Sequence, residues 1–144
     1  MTRIDFYVLG DATEVARLEL VCKLAEKASG RGQKVYLYSS DRQLLMELDA
    51  RLWDFRPLSF VAHKILPESH ILSSEDNDPV LLSSDEPGND RNLLINLDRE
   101  VPPFFSRFER TLEIVNKEPE VQAAGRERYR FYKQRGYPLQ HHNV

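Results

Sequence analysis

The sequence predicts an α/β fold: a single domain with a mainly parallel sheet flanked by helices. Residues 3–9 are rich in β-branched and aromatic side chains, which is typical of a strand, and an apolar stripe at helical spacing follows them. The same order recurs at residues 34–38, where a second strand precedes a leucine-rich helical pattern. Consecutive strand–helix units of this kind form parallel sheets.

The first helix is expected over about residues 12–29. Asp11 can cap its N-terminus, with Glu14 three residues later as in a capping box. Gly30 and Gly32 follow as stop signals. The apolar stripe of this helix consists of Val15, Leu18, Val21, Cys22 and Ala25. These positions predict the side that packs on the sheet.

A second helix is expected after Asp41, its predicted N-cap. Its apolar stripe consists of Leu44, Leu45, Leu48 and Leu52. Residues 68–90 are acidic and turn-rich, with short apolar pieces at 71–72 and 80–82 that could be strands. Residues 92–97, NLLINL, predict a buried strand.

Between the second helix and the acidic stretch, residues 53–65 carry many large apolar side chains for an irregular segment. One interpretation is a loop folded over the core. The other is an exposed apolar patch for a protein partner, since Trp is enriched at binding hot spots and Trp53 opens the segment. The pattern itself leaves both open.

The last third of the chain predicts three elements. The proline pair at 102–103 should begin a helix that carries three phenylalanines, residues 111–115 form a strand, and residues 118–136 form a final helix. The whole then comprises one domain at residues 1–137 and a flexible C-terminal tail at residues 138–144.

The final helix is basic and aromatic. Pro119 suits its first turn and Gly136 its end. Arg126, Tyr129 and Lys133 are three and four residues apart and share one side of the helix. A guanidinium beside an aromatic ring suits a ligand that has a carboxylate and an apolar group. The alternative is a helix whose aromatics pack in the core and whose arginines are solvated.

Composition excludes some classes of function. A net charge of −3 argues against non-specific DNA binding by the whole surface of this 144-residue chain. With one cysteine, Cys22, no intramolecular disulfide can form, which fits a reducing cytoplasm. No stretch has the length and apolar character of a membrane span, and the N-terminus has no signal-peptide pattern.

No catalytic or cofactor-binding pattern emerges. The turn after the first strand, residues 10–15, has one glycine and two acids, and the acids would repel a phosphate. This favours a Rossmann-like fold without a phosphate-binding loop. None of the four histidines has metal-ligand spacing to Cys or an acid, and Cys22 lies on an apolar stripe. The residues therefore predict an α/β domain that binds rather than catalyses, with no cofactor and no metal.

Four motifs along nearly the full length resemble one known family. They are F-Y-V-L at residues 6–9, D-x-x-L-W at 49–53, S-F-V with a following His at 59–63, and R-E-R-Y-R-x-Y at 126–132. In these motifs the chain is similar to the chi subunit of bacterial DNA polymerase III holoenzyme. Members of that family are non-enzymatic subunits of the clamp-loader assembly. One surface pairs with the psi subunit, and another binds the acidic, Phe-ending C-terminal tail of single-stranded DNA-binding protein.

The resemblance implies roles for particular residues. Arg126 would meet the acidic groups of the tail, Tyr129 and Val115 would line an apolar pocket, and Arg128 and Arg130 would add electrostatic steering. Gln122 stands where a lysine is expected, so tail affinity would be lower here unless Arg130 compensates. Trp53 and Phe60 match the positions that face psi. DNA would be contacted only indirectly, through these proteins.

Two other functions are kept as alternatives. A nucleotide-handling α/β enzyme is disfavoured by the acidic first turn, and thermal stabilisation by nucleotides would revive it. A direct single-stranded nucleic-acid binder would use the basic-aromatic helix, and binding to bare oligonucleotide with a steep salt dependence would support it.

Overall fold

A parallel sheet forms the centre of the molecule. The computed structural model describes residues 1–54, 61–69, 77–87 and 91–144. The strands in chain order are β1 (Arg3–Val8), β2 (Val35–Tyr38), β3 (His63–Ile65), β4 (Val80–Ser83), β5 (Leu93–Asn96), β6 (Arg110–Val115) and β7 (Leu139–Asn143). The helices are α1 (Glu14–Gly30), α2 (Arg42–Asp54) and α3 (Pro119–Gln134). The strand order is β3-β4-β2-β5-β6-β1-β7 with every neighbouring pair parallel, which confirms the predicted fold class.

Alternation along the strands divides the core between the two faces of the sheet. On β6, Leu112 and Ile114 belong to the cluster that α1 and α2 cover. Val115 belongs to a second cluster, which contains Tyr132 of α3. Because successive strand residues point to opposite faces, Glu113 lies on the α3 face. None of the described helices combines the length and the apolar character that crossing a bilayer requires.

The start of α1 differs from the prediction by two residues. Thr13 is the N-cap, and its side chain accepts a hydrogen bond from Ala16 N at 3.3 Å. The Asp11 carboxylate instead accepts from Thr13 N at 2.7 Å, which fixes the turn before the cap. Val15 therefore lies in the first turn and is exposed rather than part of the buried stripe.

The start of α2 agrees with the prediction. Asp41 accepts hydrogen bonds from Gln43 N at 3.0 Å and from Leu44 N at 3.3 Å, as an N-cap carboxylate does. Three of the four predicted leucines, Leu45, Leu48 and Leu52, are buried. Of the predicted short strands, 80–82 is confirmed within β4, and 71–72 lies outside the described residues.

The helix expected after the proline pair is shorter than predicted. Only Phe105–Arg107 is helical, as a single 3-10 turn. The three phenylalanines at 104, 105 and 108 are nevertheless buried in the cluster beneath α3. Their hydrophobic burial, rather than a regular helix, determines the course of this segment.

The predicted flexible tail is a strand. Residues 138–144 pair with β1 in register, from Ile4 opposite Leu139 to Val8 opposite Asn143. The stacked rings of Tyr7 and His142, 4.5 Å apart, hold the strand on the sheet. The prediction of a flexible tail is wrong. One edge of β1 would otherwise be unpaired, and its backbone N–H and C=O groups gain hydrogen-bond partners from β7 although that segment is polar.

Candidate functional site

The inner side of α3 is fixed to the sheet by one buried carboxylate, that of Glu113. Its Oε1 accepts a hydrogen bond from Arg128 Nε at 2.8 Å, and its Oε2 accepts one from Tyr132 Oη at 2.7 Å. Asn96 Nδ2 donates a third at 3.0 Å. Arg128 also donates to the carbonyl oxygen of Arg99 at 2.8 Å. The buried charge is thus paired and hydrogen-bonded, as such charges must be.

This cluster sets the rotation of α3 about its axis. Burial raises the pKa of the Tyr132 hydroxyl, and the adjacent Glu113 carboxylate raises it further, so the hydroxyl remains a donor. Arg128 and Tyr132 therefore mark the inner side. Because an α-helix turns about 100° per residue, Arg126 and Tyr129 lie on a different side, toward the ends of β1 and β6.

A cavity opens on that side of α3, and we call it the outer pocket. It encloses about 320 Å³. The strands contribute Phe6, Val8, Val115 and His141 to its lining. The helix contributes Gln122, Gly125, Arg126 and Tyr129. Most of these residues are apolar, and none of the described residues that line the cavity is acidic.

The apolar part of the outer pocket depends on a close approach of α3 to β6. A Cβ atom on Gly125 would lie 2.8 Å from Val115 Cγ2, closer than side chains normally come. Val115 is paired in register with Val8, and the two residues end their strands. Tyr129 packs edge-on against Phe6 with ring centroids 5.3 Å apart and is 37% exposed. An apolar group of a ligand can therefore reach an aromatic and aliphatic surface.

The charged part of the outer pocket is Arg126. This side chain is exposed and forms no hydrogen bond or ion pair with any residue that the structure describes. His141 of β7 is a second basic side chain in the lining and is also exposed. A guanidinium beside an apolar cavity can bind a carboxylate through paired, charge-assisted hydrogen bonds while the rest of the ligand fills the cavity.

Four of the six residues predicted for tail binding meet in the outer pocket: Val115, Gln122, Arg126 and Tyr129. Arg128 does not, because it is 5% exposed and paired with Glu113, so the expectation that it adds an exposed steering charge is corrected. Arg130 is exposed and lies outside the lining, where it forms an ion pair with Glu127.

Four lining residues were missed in the sequence. Phe6 and Val8 alternate along a predicted strand, so their shared face was available as a signal. Gly125 is a glycine inside a predicted helix, where it costs about 1 kcal/mol relative to alanine and so points to a close contact. His141 was hidden by the assignment of its segment to a flexible tail.

A second surface was predicted around Trp53 and Phe60. Trp53 lies at the end of α2 with 55% of its surface exposed, and its ring meets that of His63 edge-on at 4.8 Å. His63 in turn lies 3.1 Å from a carboxylate oxygen of Asp49 and 2.6 Å from the carbonyl oxygen of Val61. Phe60 lies outside the described residues. The structure thus presents one half of the predicted pair on the surface.

The polar groups of Asp11, in the turn after β1, are engaged in hydrogen bonds within the protein. The Asp11 carboxylate caps Thr13 N, and the carbonyl oxygen of Asp11 accepts a hydrogen bond from Lys117 N at 2.9 Å. The backbone there does not form the open, glycine-rich cradle of a phosphate loop. In the described part of the chain, no group of three or more His, Cys, Asp or Glu side chains is arranged to hold a metal ion.

These features define the class: a Rossmann-like α/β domain without a phosphate-binding loop, which carries an apolar pocket with a cationic rim. A model of the protein family "DNA polymerase III chi subunit, HolC" matches residues 1–140. The chain therefore belongs to the chi-subunit family of DNA polymerase III.

Individual relatives agree with this assignment. The DNA polymerase III subunit chi of Pseudomonas aeruginosa is 47% identical, over 100% of this chain and 98% of the relative. The subunit of Haemophilus influenzae is 30% identical over 97% of this chain and 96% of its own. That of Escherichia coli is 28% identical, with 96% of each chain covered. The similarity spans the whole domain rather than one motif.

Proposed function

We propose that this chain is a non-catalytic accessory subunit that links the clamp-loader assembly of DNA polymerase III to single-stranded DNA-binding protein. The link is the acidic, Phe-ending C-terminal tail of that protein, bound in the outer pocket. The observation that carries the proposal is the position of Arg126, an exposed guanidinium without a partner among the described residues, at the rim of an apolar cavity. Membership of the chi-subunit family supplies the replication context.

In this proposal the terminal phenylalanine of the tail lies against Tyr129, Phe6 and Val115. Its α-carboxylate accepts hydrogen bonds from Arg126. None of the described residues in the pocket lining is an acid that would repel the tail. Burial of one aromatic side chain contributes about 1.5–3 kcal/mol, and a hydrogen bond to a charged group contributes a similar amount.

Gln122 influences the affinity for the tail. It lines the outer pocket and offers an amide donor without a charge, where the family resemblance suggests a lysine. Arg130 compensates only to the extent that it leaves Glu127, its partner in an exposed ion pair. Such pairs are worth about 0–1 kcal/mol, so an acidic tail competes with Glu127 at little cost.

We propose further that Trp53, together with Phe60, binds a psi subunit in hosts that have one. Support comes from the exposure of Trp53 at the end of α2, because large exposed aromatic residues are typical anchors of protein interfaces. The outer pocket lies beside α3, on the other face of the sheet. The two partners would therefore bind without overlap, in the cytoplasm, and DNA would be contacted through them.

The proposed link is tested with full-length single-stranded DNA-binding protein. Biosensor binding is measured on oligonucleotide coated with the wild-type protein, and on oligonucleotide coated with a form that lacks only the terminal phenylalanine. The proposal predicts saturable binding to the first surface and a loss of about tenfold or more on the second. Equal binding to both would contradict it.

The second surface is tested with the same reagents. Trp53→Ala should lose psi in co-purification while it keeps the affinity of the wild type for the tail. Loss of both activities with an unfolded circular dichroism spectrum would assign Trp53 to the fold instead.

A further inference from the structure

A polar cavity lies on the opposite face of the sheet from the outer pocket, at the other end of strands β1 and β6. Arg3 and Arg110 border it where β1 and β6 begin, and Lys27 and Arg31 border it where α1 ends. We call this cavity, of about 210 Å³, the basic pocket. The outer pocket, by contrast, lies where the same two strands finish.

The cationic side chains of the basic pocket outnumber their acidic partners. Asp5, 1% exposed, accepts hydrogen bonds from Arg110 Nε at 2.6 Å and from Arg3 Nε at 3.3 Å. Lys27 and Arg31 are exposed and pair with no acidic residue in the described ranges. None of the described lining residues is acidic. Four cations thus border the cavity, and the one buried carboxylate pairs with only two of them, in a protein whose net charge is −3.

The dipole of α1 accounts for only two of the four cations that border the basic pocket. Cations near a helix C-terminus are favoured by the helix dipole, which accounts for Lys27 and Arg31. Arg3 and Arg110 lie at strand starts, where no such field acts, and the single negative charge of Asp5 balances only one of them. Arg110 also donates to the hydroxyl oxygen of Tyr7 at 3.0 Å, so the hydroxyl proton of Tyr7 is available to a ligand.

We propose that the basic pocket binds a ligand through adjacent phosphoryl groups. Three of its four cations are arginines, whose planar forks match phosphate oxygens in pairs. At about 30 Å³ for each water in the liquid, the cavity has room for several water-sized groups and hence for more than one phosphoryl group. The same chemistry is offered by a free polyphosphate and by the backbone of a nucleic acid.

Sodium tripolyphosphate, titrated by calorimetry at low ionic strength into the full chain, is the probe. Lys27→Gln/Arg31→Gln removes the two cations that have no described partner and so leaves the Asp5 contacts intact. Lys117→Gln/Arg99→Gln removes the same two charges from exposed side chains elsewhere and serves as the control. We expect saturable binding to the wild type, weakened about tenfold or more in the first variant and less than about threefold in the control.

Two further titrations identify the source of the phosphate. A labelled single-stranded oligonucleotide that binds and is displaced by tripolyphosphate would assign the pocket to a nucleic-acid backbone. An oligonucleotide that does not bind would assign it to a free polyphosphate. The proposal is overturned if tripolyphosphate does not bind, if both double variants weaken binding equally, or if a glutamate-rich peptide binds as tightly as tripolyphosphate.

Discussion

The inner and outer sides of α3 use the same residue types for opposite purposes. Arg128 on the inner side is buried and donates to Glu113 and to a backbone carbonyl. Arg126, two residues earlier, is exposed at the outer pocket without a partner in the described part of the chain. Tyr132 and Tyr129 differ in the same way, fully buried against 37% exposed. Position around the helix, not residue type, decides whether a side chain supports the fold or remains available to a ligand.

The largest expected effect is on the inner side. Arg128→Ala leaves the Glu113 carboxylate buried without its cation, which should destabilise the fold by about 3–5 kcal/mol. Urea unfolding followed by circular dichroism measures this loss. Arg130→Ala on the same helix is the control and should change the free energy of unfolding by less than about 0.5 kcal/mol, because its ion pair is exposed. A loss below about 1 kcal/mol for Arg128→Ala would remove the distinction between the two sides.

A smaller effect is expected on the outer side, and on binding rather than on stability. Tyr129→Ala removes an aromatic wall of the outer pocket and should weaken binding of the tail peptide by about 1.5–3 kcal/mol. Tyr129→Phe keeps the ring and should bind within about threefold of the wild type. Fluorescence anisotropy with a labelled peptide measures both. Equal weakening by the two variants would mean that the hydroxyl, not the ring, makes the contact.

Gly125 packs against Val115 of the sheet and also lines the outer pocket, so its substitution should affect both the stability of the fold and tail binding. Gly125→Ala places a Cβ 2.8 Å from Val115 Cγ2, and the overlap should cost about 1–3 kcal/mol of stability. The displaced Val115 should also weaken tail binding. Gly30→Ala at the end of α1 has no atom within 4 Å of its new Cβ and is the matched control. Urea unfolding and peptide binding are measured on both variants. Wild-type stability and wild-type affinity in Gly125→Ala would show that α3 can move away from β6 at no cost.

Acid should loosen the strand that borders the outer pocket. Burial raises the pKa of Asp5, but its hydrogen bonds with His142 and Arg110 and the charges of Arg110 and Arg3 outweigh it, so the net pKa lies below the usual range. A lowered folded-state pKa contributes stability above the unfolded pKa of about 3.9, and this contribution is lost as the pH falls through the folded value.

The corresponding measurement is unfolding free energy against pH for the wild type and Asp5→Asn. The difference between the two should shrink as the pH falls below about 4. A difference that does not depend on pH would mean that the charge of Asp5 does not stabilise the fold.

The fold class could be predicted from the sequence because local patterns determine it. Alternating strands and helices, with apolar stripes at helical spacing, lead to a parallel sheet. The R-E-R-Y-R-x-Y motif on α3 supplies two predicted residues of the outer pocket, Arg126 and Tyr129, and the family resemblance adds Val115 and Gln122. The same motif does not separate Arg126 from Arg128, because that separation depends on Glu113, one acid within an otherwise apolar strand pattern. The segment LQHHN of β7 has no strand signal of its own and is ordered by pairing with β1.

The most direct test of the account is a titration of a labelled peptide that copies the host's single-stranded DNA-binding protein tail. Wild type, Arg126→Ala and Arg31→Ala are compared at one ionic strength, since both arginines are exposed and carry the same charge on opposite faces of the sheet. We expect saturable binding that Arg126→Ala weakens by about 1.5–3 kcal/mol and that Arg31→Ala leaves nearly unchanged. Unchanged affinity in a folded Arg126→Ala variant, or equal weakening by both substitutions, would contradict it.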